Sequence, residues 1–229
     1  MVWVIGALAL SYLVGGFPTA IIAGKVLRGI DVRDYGSRNA GATNVWRVLG
    51  AGPAIAVLLV DALKGVAAVL FLSRVGPETG VLGATTMQVL CGLFAIMGHI
   101  WTVFARFKGG KGVGTAAGVF GALAPWAVLI ALACFVLVVA LTRYISAGSI
   151  TAAAVLAAVL IGQYTLFPGS IPLITVIIGS AAAILVIAKH HTNIRRLLNG
   201  TENKFGRPAS SAPRARTTQG RPNSREQPS

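Results

Sequence analysis

Charge is scarce in this 229-residue chain: only 11% of the residues are Asp, Glu, Lys or Arg, and just 6 are acidic. That scarcity excludes an ordinary water-soluble domain, in which about a quarter of the residues are charged. The few carboxylates are also scattered. Asp31, Asp34, Asp61 and Glu202 show no metal-ligand spacing, so neither a metal nor a cofactor is expected. Cysteine is limited to Cys91 and Cys134, which lie in separate apolar blocks. They read as small buried apolar residues rather than as a disulfide or a metal site. No internal repeat is visible.

What the chain has instead is apolar length. Hydrophobic residues make up 55%, the mean hydropathy is +0.76, and the apolar residues run in blocks at 2–24, 52–73, 81–104, 113–142, 149–166 and 170–188. About 20 residues of helix cross the hydrocarbon core of a bilayer. The fourth block is too long for one span, and Gly118, Gly121 and the Ala124–Pro125 step divide it into a short helix near 113–124 and a full one near 126–142. The expected fold is all-α: a polytopic membrane helical bundle of about seven transmembrane helices, one of them short, in a single domain over residues 1–205. The first block lacks a basic leader and is too long for a signal peptide, so it reads as a retained span. From Gly206 onward Pro, Ser, Gln, Gly and Arg dominate, and residues 206–229 are expected to form a disordered basic cytoplasmic tail able to touch anionic lipid.

The charge that remains is of one sign. There are 20 Lys and Arg against 6 Asp and Glu, a net charge of +14. Nucleic acid is excluded as a partner because no soluble domain is left to read it. Lys25, Arg28, Arg33, Arg38 and Arg47 place the first loop in the cytoplasm. Seven spans then put the N-terminus outside, and the loops at 25–50, 105–112 and 143–148 on the cytoplasmic side with the C-terminus.

Three polar segments fall on that side. Gly36–Gly50 reads GSRNAGATNVWRVLG, in which Ser37, Asn39, Thr43, Asn44 and Arg47 can each donate to phosphate oxygens. Thr43 is placed to cap a short helix with Asn44 and Arg47 on one face. Phe107–Thr115 reads FKGGKGVGT. This is not a nucleotide P-loop, because Lys111 is followed by Gly112 rather than Ser or Thr, and no strand precedes it. It is a glycine-rich turn with two ammonium groups, Lys108 and Lys111, opening a helix, which makes an anion site. Lys189–Phe205 reads KHHTNIRRLLNGTENKF. A helix continuing through it sets His190, Asn193 and Leu197 on one face with Arg196 beside Asn193. His190 is the strongest general-base candidate on this side, and His191 suits an exposed helix end. Glu202 and Lys204 read as a structural pair. Within the spans, Asp61 and Lys64 are expected to pair inside the bundle, and His99 to make a structural hydrogen bond.

Taken together, the three segments, with DALKG and the GH…VF…FKGGKG stretch, resemble the acyl-phosphate:glycerol-3-phosphate acyltransferase family (PlsY) from about Val4 to Phe205. The resemblance implies a seven-span helical enzyme of the bacterial inner membrane, acting at the cytoplasmic surface. It implies transfer of an acyl group from acyl phosphate to the sn-1 hydroxyl of glycerol 3-phosphate, giving lysophosphatidic acid and phosphate. His190, Asn193, Ser37 and Arg47 are then the expected catalytic set. Lys108, Gly109, Gly110, Lys111, Gly112, Asn39, Thr43, Asn44 and Arg196 are the expected substrate-binding set, with Glu202 more structural. The partners are the two substrates and membrane lipids, and the chain is expected to act as a monomer. Three positions depart from the family pattern: Arg38 stands where Gly is frequent, Thr102 where Pro is, and Gly114 where Ala is.

The residues also suit this chemistry unaided. A mixed anhydride is already activated, so positioning and charge neutralisation can supply most of the rate. The arrangement of a His followed five places on by an Asp, used by other glycerolipid acyltransferases, is absent, since residue 195 is Arg. A phosphate or organophosphate transporter is the rival reading, but it predicts anion groups at the midplane between pseudo-symmetric halves. A membrane anchor acting through the basic tail leaves the three segments without a purpose.

Overall fold

The computed structural model describes residues 1–75 and 82–206. Most of the expected tail, and the turn after Arg74, lie outside the described residues. Within them the fold is ten α-helices and no strand: α1 (Val2–Gly16), α2 (Thr19–Arg28), α3 (Ala42–Leu49), α4 (Ala51–Leu70), α5 (Ala84–Ile100), α6 (Val113–Leu123), α7 (Pro125–Thr142), α8 (Ile145–Leu166), α9 (Leu173–Lys189) and α10 (His191–Leu198).

Five stretches are long and apolar enough to span a bilayer: 2–28, 51–74, 84–105, 125–142 and 145–166. The bent pair α9–α10 passes the same test when taken together, as a broken span or a re-entrant loop, and α6, at 11 residues, is a shorter apolar helix. The expected all-helical membrane bundle with one short helix is therefore the architecture present, with five or six helices long enough to span among the described residues.

Two expectations are corrected. The first block is not one helix. Pro18 lacks an amide hydrogen and its ring collides with the preceding turn, so α1 ends at Gly16 and α2 begins at Thr19. The carbonyl of Phe17, exposed by the break, accepts a hydrogen bond from the Lys64 ammonium at 3.0 Å. The last span does not continue smoothly either: α9 and α10 are bent by 55° about His190. The expected split at Ala124–Pro125 holds, with Pro125 opening α7 where a missing amide hydrogen costs nothing.

Helix α6 sits in the middle of the core. Val119 and Phe120 pack with Val69 of α4, Ile96 and Ile100 of α5, and Leu160 of α8, all essentially buried. α4 and α6 cross at Gly65 and Gly118, where an added Cβ would strike the backbone of Thr115 or Ala62. Backbones brought this close gain dispersion contacts, the main glue between helices in lipid. By contrast α7 buries only Ala127 and Ala131 and leaves Leu129, Leu132, Val136, Leu137 and Leu141 exposed, a face suited to hydrocarbon rather than water. Cys91 is buried, Cys134 half-buried, and both are free thiols.

All four polar connections gather at one end of the bundle. Arg33 donates to the carbonyls of Ala105 and Lys108, Arg47 to that of Asn203, and Arg143 to that of Phe205. Trp46 and Phe205 pack with tilted rings at a 5.0 Å centroid separation.

A cation-rich cavity at the polar end of the bundle

The gathered connections enclose a cavity of about 250 Å³. Eight of the residues expected at the site line it: Ser37, Asn39, Thr43, Arg47, Lys111, Gly112, His190 and Asn193. The other wall is apolar, formed by Ala54, Ile55 and Leu58 of α4, Val113 of α6, Phe135 of α7 and Ile145 of α8. The cavity thus offers polar donors on one side and hydrocarbon on the other.

Lys111 follows the glycine turn and donates to Asn193 Oδ1, which joins the second polar segment to the third. Burial, reinforced by Arg196, Arg47 and Lys189 and opposed by Glu202, lowers the Lys111 ammonium to about 8. Burial also pushes the Arg47 guanidinium below its ordinary value, with Arg196 adding to that and Glu202 opposing it, yet a guanidinium remains charged at neutral pH. Among the described residues neither Lys111 nor Arg47 has a carboxylate within ion-pair distance. The two carboxylates on the lining, Asp61 and Glu202, are paired with Lys64 and Arg196, so the cavity carries an excess of cationic charge.

His190 is buried at the bend, and its Nδ1 donates to the Val186 carbonyl at 2.8 Å. That bond leaves Nε2 as an acceptor. Burial first, and then the nearby Lys111, lowers the imidazole to about 4, so it is neutral at physiological pH. A neutral imidazole of such low basicity orients a hydroxyl better than it removes a proton.

Glu202 is the carboxylate that organises the third segment. It accepts from Ser146 at 3.0 Å, from Asn193 at 2.8 Å and from Arg196 at 2.6 Å. Burial raises its carboxyl, but these three donors outweigh burial and hold it below its ordinary value. The expected Glu202–Lys204 pair is not formed: Arg196 takes the carboxylate, and Lys204 lies over the Tyr144 ring at 5.7 Å.

The remaining expected residues stand away from the cavity. Asn44 is fully buried beneath the first loop, donating to the carbonyls of Val32 and Tyr35 and accepting from Ser37 N and Oγ. Asn44 and Arg47 do not share a working face, and Gly41 rather than Thr43 occupies the cap of α3. Lys108 is exposed, Gly109 and Gly110 lie behind the turn, and Arg196 is engaged with Glu202. Arg38 adopts φ 58°, a left-handed conformation that glycine takes more easily.

Five polar or charged lining residues were not among the expected catalytic and binding residues: Asp61, His99, Ser146, Ser149 and Glu202. Ser146 and Ser149, at the start of α8, are single serines in an apolar run and carry no signal beyond polarity. Asp61 and His99 were read as structural, yet both reach the cavity while Asp61 also pairs with Lys64 at 2.8 Å.

Fold and site together define a polytopic membrane protein with a cation-rich cavity at one end. The family model "Glycerol-3-phosphate acyltransferase" matches residues 5–200. The chain belongs to the glycerol-3-phosphate acyltransferase family. It is 48% identical to the glycerol-3-phosphate acyltransferase of Trichlorobacter lovleyi, over 89% of this chain and 96% of that one. Identity to the enzyme of Chlorobium phaeobacteroides is 41%, over 90% and 99% respectively. The crystal structure of PlsY, an integral membrane glycerol 3-phosphate acyltransferase, in its glycerol 3-phosphate form, superposes with a TM-score of 0.75 at 33% identity, covering 89% of this chain and 96% of that chain. A lysophosphatidic acid form matches equally well. The chain is thus an integral, multi-pass membrane acyltransferase, and neither the fold nor the family gives support to a transporter.

Proposed function

We propose that the chain transfers a fatty acyl group from acyl phosphate to the sn-1 hydroxyl of glycerol 3-phosphate, releasing lysophosphatidic acid and phosphate. The observation that carries this reading is the cavity itself, in which Lys111 and Arg47 stand outside ion-pair distance of any carboxylate among the described residues, beside an apolar wall of Ile55, Leu58, Val113 and Phe135. Two phosphates and one hydrocarbon chain answer those needs. The glycerol 3-phosphate and lysophosphatidic acid forms of the solved relative support the acceptor and the product.

In the reaction the acceptor hydroxyl oxygen bonds to the acyl carbon, and the bond from that carbon to the phosphate oxygen breaks. Arg47 and Lys111, with Ser37, Asn39 and Thr43, hold the phosphates through charge-assisted and neutral hydrogen bonds. Asn193 and the Nε2 of His190 orient the hydroxyl. With His190 lowered to about 4, the departing phosphate is the better proton acceptor, and it leaves carrying the hydroxyl proton. Asn44, Arg196 and Glu202 act by holding the first and third segments in place.

The basic loops at the cavity end support a cytoplasmic site in the bacterial inner membrane, with the N-terminus outside. The test is direct: purified protein is incubated with glycerol 3-phosphate and synthetic acyl phosphate, and phosphate release and lysophosphatidic acid are measured. Transfer is expected from acyl phosphate and not from acyl-CoA. Equal or better transfer from acyl-CoA would overturn the donor assignment.

A further inference from the structure

The glycines of the KGGKG turn need an explanation, because Gly109 and Gly110 do not reach the cavity. Both lie instead on the end of α5. Gly109 N donates to the Ile100 carbonyl and Gly110 N to the His99 carbonyl, each at 3.1 Å. A Cβ on Gly109 would strike the His99 carbonyl, and one on Gly110 would run into His99 Nε2 and lie 2.8 Å from the Ala40 carbonyl of the first polar loop. The turn is therefore clamped between the His99 ring and that loop.

Behind the ring stands a carboxylate. His99 Nδ1 lies 3.6 Å from Asp61 Oδ1, the same oxygen that pairs with Lys64 and accepts from Thr19 at 3.1 Å. Lys64 in turn holds the Phe17 carbonyl at the α1–α2 break. A chain of polar contacts thus runs from the broken first span to the turn that carries Lys111.

We propose that His99 is a positioning residue for glycerol 3-phosphate: its buried ring, beside Asp61, is the platform that seats Gly109–Gly110 and so aims Lys111 at the acceptor phosphate. The two glycines serve close packing on that platform rather than contact with substrate. The assignment of the phosphate to the acceptor rests on the proposed reaction; the platform does not.

The test uses the full-length protein in detergent micelles. His99→Gln and Gly110→Ala are each expected to raise KM for glycerol 3-phosphate about tenfold while kcat changes less than about threefold. Because both act on one turn, the double variant is expected to be no worse than the worse single. A weakened fold lowers the active fraction, hence kcat, and leaves KM alone; that result overturns the proposal, as does multiplication of the two KM effects. If His99→Gln leaves no thermal unfolding transition, Gly110→Ala carries the test alone, and an unchanged KM overturns the proposal. A second arm needs no acyl donor: inorganic phosphate raises the thermal midpoint of the parent protein, and each variant is expected to need about tenfold more for the same rise. Equal phosphate demand in parent and variants overturns the platform. A parent that responds to phosphate but transfers no acyl group instead overturns the reaction.

Discussion

The protein keeps charge in two places, and the two are built on opposite rules. Inside the spans, the Asp61 carboxylate sits between Lys64 and His99, with Thr19 completing its shell. There the charges balance, as they must where no water can stabilise an excess. At the polar end, the Glu202 carboxylate is wholly engaged by Arg196, Asn193 and Ser146, and Lys111 and Arg47 are left over. Matched charge holds helices together, and surplus cation waits for an anion from solution. The two groups meet at the glycine turn, where His99 touches Gly110 on one side and Asp61 on the other.

The comparison is broken most severely by unbalancing the buried group. Asp61→Asn strands the Lys64 ammonium inside the span, and a cost on the order of 3 kcal/mol in stability is expected. Thermal unfolding of the purified protein measures it; an unaltered midpoint would show that the pair is not structural. Next in size, Lys111→Met removes a charge-assisted contact to substrate. A loss of about 10- to 100-fold in kcat/KM for glycerol 3-phosphate is expected, with little change in the midpoint.

The surplus can also be removed by pH. Lys111 is protonated below its value of about 8, so its grip on phosphate is present there and is lost as pH rises through that value. Above that point kcat/KM is expected to fall by about tenfold per pH unit, and Lys111→Arg to move this alkaline limb upward. A limb that stays in place in the Arg variant assigns it to another group. The smallest effect belongs to Lys108, which is exposed and away from the cavity. Lys108→Ala is expected to alter KM by less than about twofold; a change as large as that of the Lys111 variant would redraw the site.

Much of this was legible in the chain. The apolar blocks and the Ala124–Pro125 break gave a helical membrane bundle with a short helix, because hydrocarbon permits few alternatives to a long apolar helix. The break at Pro18 was equally visible as a proline, but the first block's unbroken hydrophobicity concealed it. Of the site residues, Ser37, Asn39, Thr43, Arg47, Lys111, Gly112, His190 and Asn193 were found at the cavity, whereas the equally charged Lys108 and Arg196 were not, because charge alone does not say which way a side chain is turned. Asn44 was misread because a polar residue near a loop is equally able to face substrate or to satisfy the loop's own carbonyls, and only packing distinguishes these uses. The same ambiguity concealed Ser146.

What the sequence determined alone was solvent and sign: long runs without charge must lie in lipid, and a cation excess confined to the connections must face an anionic partner. Both follow from composition and order, which do not depend on how helices pack. The tertiary structure decided pairing. Glu202 with Arg196 rather than Lys204, Asp61 with His99 as well as Lys64, and glycines seated on an imidazole rather than on a substrate are all contacts between segments far apart in the chain or turned by an unexpected bend. Distances of a few ångströms set their energies, and residue spacing along a chain does not fix such distances once helices break and cross.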